Sequence, residues 1–147
     1  MPTMPTARSL SRFAKIAVSL EVLLGVGALC GGGALMLGSR GQIIPLPLSA
    51  LNGSPFETYF APVLILFCAL GLGPFAAALL AWLRHPLAPM AALGVGGALL
   101  IWMAVEIAII GYSNSPPLQP FYVLLGAAIT GVGLRWVTLG PEALGVA

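Results

Sequence analysis

The sequence predicts an all-α integral membrane protein: a single domain over residues 1–147 in which apolar helices cross a bilayer as an antiparallel four-helix bundle, with both termini cytoplasmic. Three observations carry this expectation. Hydrophobic residues make up 59% of the chain and charged residues 7%, against about 45–50% and about 25% in ordinary soluble domains. Apolar stretches, each near or above the roughly 20 residues that a helix needs to cross about 30 Å of hydrocarbon, alternate with polar or proline-bearing connections. The basic residues gather at one side of those stretches. In water so much apolar surface would form large exposed patches, whereas in lipid the same surface is the favoured one.

The first stretch runs from about Ile16 to Leu37 and follows Arg8, Arg12 and Lys15. It is longer than the apolar core of about 7–15 residues in a secretory leader and carries Glu21 inside it, so a retained span is expected. The outer loop 38–58 comes next. Its apolar, proline-bearing part, residues 41–48, is expected to lie on the membrane surface or to fold over the bundle mouth as a lid.

The second span is expected at about Tyr59 to Leu83. Ser54, Pro55 and Glu57 have the pattern of a helix cap, a proline at the first helical position and a capping-box carboxylate. Pro62 and Pro74 inside the span are expected to bend it and to free the carbonyls of Thr58 and Leu70. The inner turn 84–86, Arg84-His85-Pro86, leads to the third span at about Leu87 to Gly111. The outer loop 112–120 leads to the fourth, about Phe121 to Leu139.

Orientation follows from the positive residues, because Lys and Arg near span ends resist translocation. Arg8, Arg12, Lys15, Arg84 and Arg135 fall on one side and only Arg40 on the other. The chain is therefore expected to be a multi-pass protein of the cell inner membrane, N-in and C-in. The basic residues are scattered singly, with no cluster of the kind phosphates require, which excludes a nucleic-acid partner.

Small residues recur at helical spacing: Gly27 and Gly31 in the first span, Ala69, Gly73, Ala77 and Ala81 in the second, Ala88, Ala92 and Gly96 in the third. Such stripes let helix backbones approach where lipid removes the ordinary hydrophobic drive. One reading is packing within the bundle; the other assigns a stripe to a homo-oligomer or a membrane-protein partner.

An ionisable residue inside a span is costly and by default a functional candidate, which singles out Glu21 and Glu106. Glu21 lies about 9 Å from the inner end of its helix and Glu106 about 7.5 Å from the outer end of its own, so roughly 13 Å of depth separates them and a carboxylate dyad is not expected. Glu21 shares a face with Gly25, Ala28 and Gly32, which points it into the bundle. Desolvation there favours the neutral acid. Two roles stand for it: a hydrogen bond to a backbone carbonyl, or proton handling. Glu106 has Trp102 one turn before it, and Tyr112, Gln119, Tyr122 and Tyr59 fall at a similar level. They are expected to rim an outward-opening polar pocket or, alternatively, to form an interfacial aromatic belt that needs no ligand.

No residue pattern names a reaction. The only histidine, His85, falls in the inner turn, and no His/Cys/carboxylate group has metal-ligand spacing, so neither a metal nor any other cofactor is expected. Cys30 and Cys68 lack the spacing of a redox pair and are expected to be buried, inert thiols.

Two passages carry a resemblance: the Pro45 to Pro62 segment with Ser54-Pro55-Phe56, and the stretch from Ile101 through Trp102, Glu106 and Gly111-Tyr112 to Gln119-Pro120-Phe121-Tyr122. From roughly Glu21 to Gly126 the chain resembles a family of small uncharacterised bacterial four-span inner-membrane proteins, a family with no assigned activity. The resemblance implies the topology and the membrane, and no substrate. A weaker resemblance, at Glu21-Val22, is to the small multidrug resistance exporters, which have four spans and a glutamate in the first. The chain departs from them in its long outer loop, its inside-positive bias and its second buried acid, Glu106.

The function expected is that of a non-enzymatic membrane component packing with a partner or with the lipid bilayer. The alternative is a small proton-linked transporter or permease using Glu21, Glu106 or both.

Overall fold

Ser11 begins the first helix. Its hydroxyl accepts the Ala14 N–H at 3.1 Å, which satisfies one of the free donors at a helix start. The cap moves the start of α1 four residues ahead of the apolar run, so α1 spans Arg12–Leu37 and takes Arg12 and Lys15 into its first turn. In the computed structural model, which describes residues 10–38, 43, 48–53, 55–112 and 117–139, three further helices follow. They are α2, Phe60–Trp82, α3, Ala88–Ile110, and α4, Leu118–Leu139. A short 3-10 turn, Leu48–Leu51, precedes α2. No strand occurs among the described residues. Each of the four helices is long and apolar enough to cross a membrane.

Two proline expectations are corrected. The second helix starts at Phe60 with Tyr59 as its cap, five residues later than Ser54-Pro55-Glu57 suggested, and no side chain caps it. Ser54 lies outside the described residues, and Glu57 is exposed ahead of the helix. Pro62 consequently falls in the first turn, where a backbone N–H has no intrahelical acceptor to lose, and it breaks nothing. Pro74 is accommodated by a wider turn. Phe67–Leu72 is a π-helical segment, and the Gly73 N–H bonds back five residues to the Cys68 carbonyl. The π segment widens the helix one turn before the proline ring.

One π turn inserts an extra residue, which rotates the face upstream of it by roughly 100°. The stripe Ala69, Gly73, Ala77, Ala81 is thereby split: Ala77 and Ala81 are buried, Ala69 is exposed, and Gly71 takes the inward place instead.

The turn after α2 closes without glycine. Arg84 adopts φ 55°, the Arg84 N–H reaches the Ala81 carbonyl at 3.1 Å, and the His85 N–H reaches the Leu80 carbonyl at 2.8 Å. This is the reciprocal pair of bonds that ends a helix at a left-handed residue. His85 Nδ1 then accepts the Leu87 N–H at 3.2 Å. At its far end α3 stops at Gly111, whose φ of 88° and ψ of 165° suit only glycine.

Packing is closest between α3 and α4, through backbone contact at small residues. A Cβ on Gly133 would lie 2.6 Å from the Leu93 nitrogen, one on Gly126 would lie 3.1 Å from the Leu100 side chain, and one on Gly96 would overlap Thr130. Contact positions rise along α3 as they fall along α4. The α1–α2 contact has the same character, with Gly25 meeting Phe75 and the Gly71 carbonyl, Gly71 meeting Leu29, and Gly32 meeting Val63 and Phe67. The main core joins Leu24, Ala28, Leu70, Leu99, Met103, Leu125 and Ile129 across all four helices. A second cluster, at the end that carries Arg12, Lys15, Arg84 and Arg135, packs the Trp136 indole among Ala14, Ala17, Ala81 and Ala88.

The outer surface is apolar. Leu72, Leu79, Met90, Ile101 and Leu124 all have more than half of their surface free, which suits hydrocarbon and not water. Cys30 and Cys68 belong to this surface, which corrects the expectation of buried thiols. From the inward-facing Ala28, two residues of helix turn Cys30 through roughly 200°, to the opposite face.

Candidate functional site

The two acids sit at different levels and in different surroundings. Glu106, one turn before the end of α3, is half-buried and hydrogen-bonded on both oxygens. Trp102 Nε1 donates to Oε2 at 3.1 Å from the preceding turn of α3, and Gln119 Nε2 donates to Oε1 at 3.2 Å from the first turn of α4. The same Gln119 nitrogen also donates to the Gly111 carbonyl at 3.2 Å. Gln119 reaches them because α4 starts at Leu118, three residues earlier than its apolar run, with Pro120 harmless in the first turn. The result is a polar clamp across the α3–α4 turn, in which a single amide of 7% exposure holds both an acid and a turn carbonyl.

The remaining residues of the expected outer pocket divide. Tyr122 lies near Glu106 and Cys30 and directs its hydroxyl at α1, where a Cβ on Gly27 would be 2.8 Å from it. Its ring meets that of Phe121 edge-on, with centroids 5.3 Å apart. Tyr112 is 63% exposed beyond the end of α3. Tyr59 is buried with Val63 against Leu35 and Met36. The structure thus brings Trp102, Gln119 and Tyr122 toward Glu106, and places Tyr59 in a separate cluster and Tyr112 at the surface. The proposed lid, residues 41–48, lies outside the described residues except for Ile43 and Leu48.

Glu21 is built differently. It is 0% exposed, on the face of α1 that carries Ala14, Ala17, Leu24, Gly25 and Ala28. Neither carboxyl oxygen has a hydrogen-bond partner among the described residues. In an apolar interior an unpaired carboxyl is expensive even when neutral, and far more so when ionised.

One residue was missed by the sequence reading. Trp136, 1% exposed, has its indole Nε1–H buried without a partner among the described residues. Beside Arg135 near the end of a span, it looks like an interfacial aromatic. The available signal was the set of alanines, Ala14, Ala17, Ala81 and Ala88, which leave room for a large ring at that end.

The fold and these sites define a multi-pass helical membrane protein. No family model matches the chain, and neither a curated protein nor a solved structure matches it.

Proposed function

We propose that the chain is a non-enzymatic component of a bacterial inner membrane, an antiparallel four-span bundle with both termini cytoplasmic, which associates through the outward face of α3 with a second copy of itself. The contact registers of α3 with α4 and of α1 with α2 favour the antiparallel arrangement, and the shared side of Arg12, Lys15, Arg84 and Arg135 favours the orientation.

The observation that carries the reading is the placement of the α3 glycines. Gly96 is used against Thr130, but Gly94 and Gly97 meet nothing within 4 Å, and Ala98 beside them is exposed. A glycine inside a helix lowers its stability by about 1 kcal/mol relative to alanine. On an outward face its return is close approach of another helix, the role that small residues four apart serve in lipid. A second copy is the one partner certain to share the same bilayer at the same depth.

The test is energy transfer between donor- and acceptor-labelled chains co-reconstituted in liposomes at falling protein density. Transfer that persists on dilution and is lost in Gly94→Leu supports the reading. Transfer that follows random encounter in both chains overturns it.

Glu21 favours a second reading, a small proton-linked permease, because a buried carboxyl without a partner is a costly feature for a purely structural bundle. Release of protons from the purified protein on adding solutes, present in the native chain and absent in Glu21→Gln, supports that reading. No release across cationic and neutral solutes argues against it. Glu106, held by two donors, is expected to contribute packing, so Glu106→Gln should leave any such release in place.

A further inference from the structure

We infer that Glu21 and Trp136 form one proton-responsive site between α1 and α4, in which the Trp136 indole N–H is the hydrogen-bond donor that receives the Glu21 carboxylate when the acid gives up its proton. The inference stands apart from association through α3.

Three buried polar side-chain atoms lack a partner among the described residues: the two Glu21 oxygens and Trp136 Nε1. They are complementary, two acceptors and a donor. Trp136 shares one buried cluster with Ala14 and Ala17 of α1, and Glu21 follows Ala17 by one turn on the same buried face, about 6 Å further along the axis. Helical side chains lean toward the N-terminus of their helix, so the Glu21 carboxyl leans back toward the level of Ala17 and the indole.

The charged surroundings leave the site isolated. On α1 the basic groups are Arg12 and Lys15, both exposed. Arg84 and His85 lie in the turn after α2, and the one titratable group on α2 itself is the outward-facing thiol of Cys68. Glu106 is the only ionisable residue of α3, and Tyr122 with the exposed Arg135 are those of α4. Glu106 and Tyr122 belong to the other end, with Cys30 beside Tyr122. Among the described residues no cation is buried next to Glu21, so a carboxylate formed there would have the indole N–H as its stabilising contact.

The step is a proton transfer alone. The Glu21 O–H bond breaks, its electron pair stays on the carboxylate, and the proton leaves to water at the basic end of the bundle. The carboxylate then accepts the Trp136 N–H, a charge-assisted bond stronger than a neutral one. Proton loss would thereby draw α1 and α4 together at that end, and proton gain would release them.

The full chain reconstituted in lipid nanodiscs, with Trp82→Phe and Trp102→Phe so that Trp136 is the sole emitter, tests this directly. Trp136 emission is expected to follow a single proton step as pH is raised, and to be flat in the same chain with Glu21→Gln. Emission that is flat in both, or a step that persists with glutamine, overturns the site. A second readout does not need the fluorescence background. A lipid-soluble carbodiimide modifies protonated carboxyls, so labelling of Glu21 in the otherwise native chain falls as the acid ionises. Trp136→Phe removes the donor that favours the ionised form and is expected to carry that fall upward by about one pH unit, tenfold in proton affinity. A fall at unchanged pH in a folded Trp136→Phe chain refutes the role given to the indole.

Discussion

Gly133 on α4 is the position where one added methyl group has the most predictable consequence. A Cβ there would lie 2.6 Å from the Leu93 nitrogen and 2.9 Å from the Leu93 Cα, whereas ordinary carbon contacts fall at about 3.5–4.0 Å. Both obstacles are backbone atoms of α3, so no side chain can swing aside and the helices must part by about 1 Å. Overpacking of this kind costs about 1–3 kcal/mol. Removing a helical glycine returns about 1 kcal/mol. Gly133→Ala is therefore expected to lose about 1 kcal/mol net. Gly131, two residues earlier on the same helix, meets nothing within 4 Å, so Gly131→Ala has only the gain of up to about 1 kcal/mol. The two alanines should differ by about 2 kcal/mol, roughly thirtyfold in the unfolding constant. Reversible unfolding in mixed micelles of rising sodium dodecyl sulfate fraction, followed by circular dichroism at dilutions where the chain is monomeric, measures the difference. Equal shifts for the two variants, or a loss at Gly131 with none at Gly133, would refute the packing assigned to α3 and α4.

Other consequences follow from single sites. Arg84 holds a left-handed backbone that costs a non-glycine residue about 1 kcal/mol or more; Arg84→Asn, better tolerated there, is expected to raise stability in the same unfolding assay, and a loss would mean that the guanidinium has a holding role. The Glu106–Gln119 bond joins α3 to α4, so a double-mutant cycle with Glu106→Ala and Gln119→Ala should show coupling of about 0.5–3 kcal/mol, and strict additivity would count against the clamp. Cys30 and Cys68 face outward; both are expected to react with a lipid-soluble maleimide in the folded protein and to resist a membrane-impermeant one, and protection from both reagents would place them inside the bundle.

Much of the architecture was legible in the sequence, because span length and apolar composition depend on the bilayer and not on which helix meets which. The ends were less so. A serine cap drew α1 forward to Arg12, and prolines tolerated in a first turn let α2 and α4 begin at Phe60 and Leu118. The π segment before Pro74 could not be read, since proline fixes only that the backbone must adjust and not whether it kinks or widens. Missing it misplaced Ala69 and Gly73. The outward face of Cys30, by contrast, is legible from its angular distance to Ala28. At the sites, Glu106 with Trp102 followed from helical spacing, whereas the direction of Tyr59 and the burial of Trp136 depend on how four helices are arranged around one another, which periodicity within a single helix does not encode.

The topology underlies every other part of the account, and cysteine accessibility tests it most directly. In a chain with Cys30 and Cys68 replaced by alanine, single cysteines at Arg12, Asn52, His85 and Tyr112, all exposed positions near helix ends, would be treated in intact cells with a membrane-impermeant maleimide. Labelling is expected at positions 52 and 112, and none at 12 and 85 until the membrane is opened. Labelling of position 85 together with 52, or of 12 without opening the membrane, would contradict four spans with the N-terminus inside.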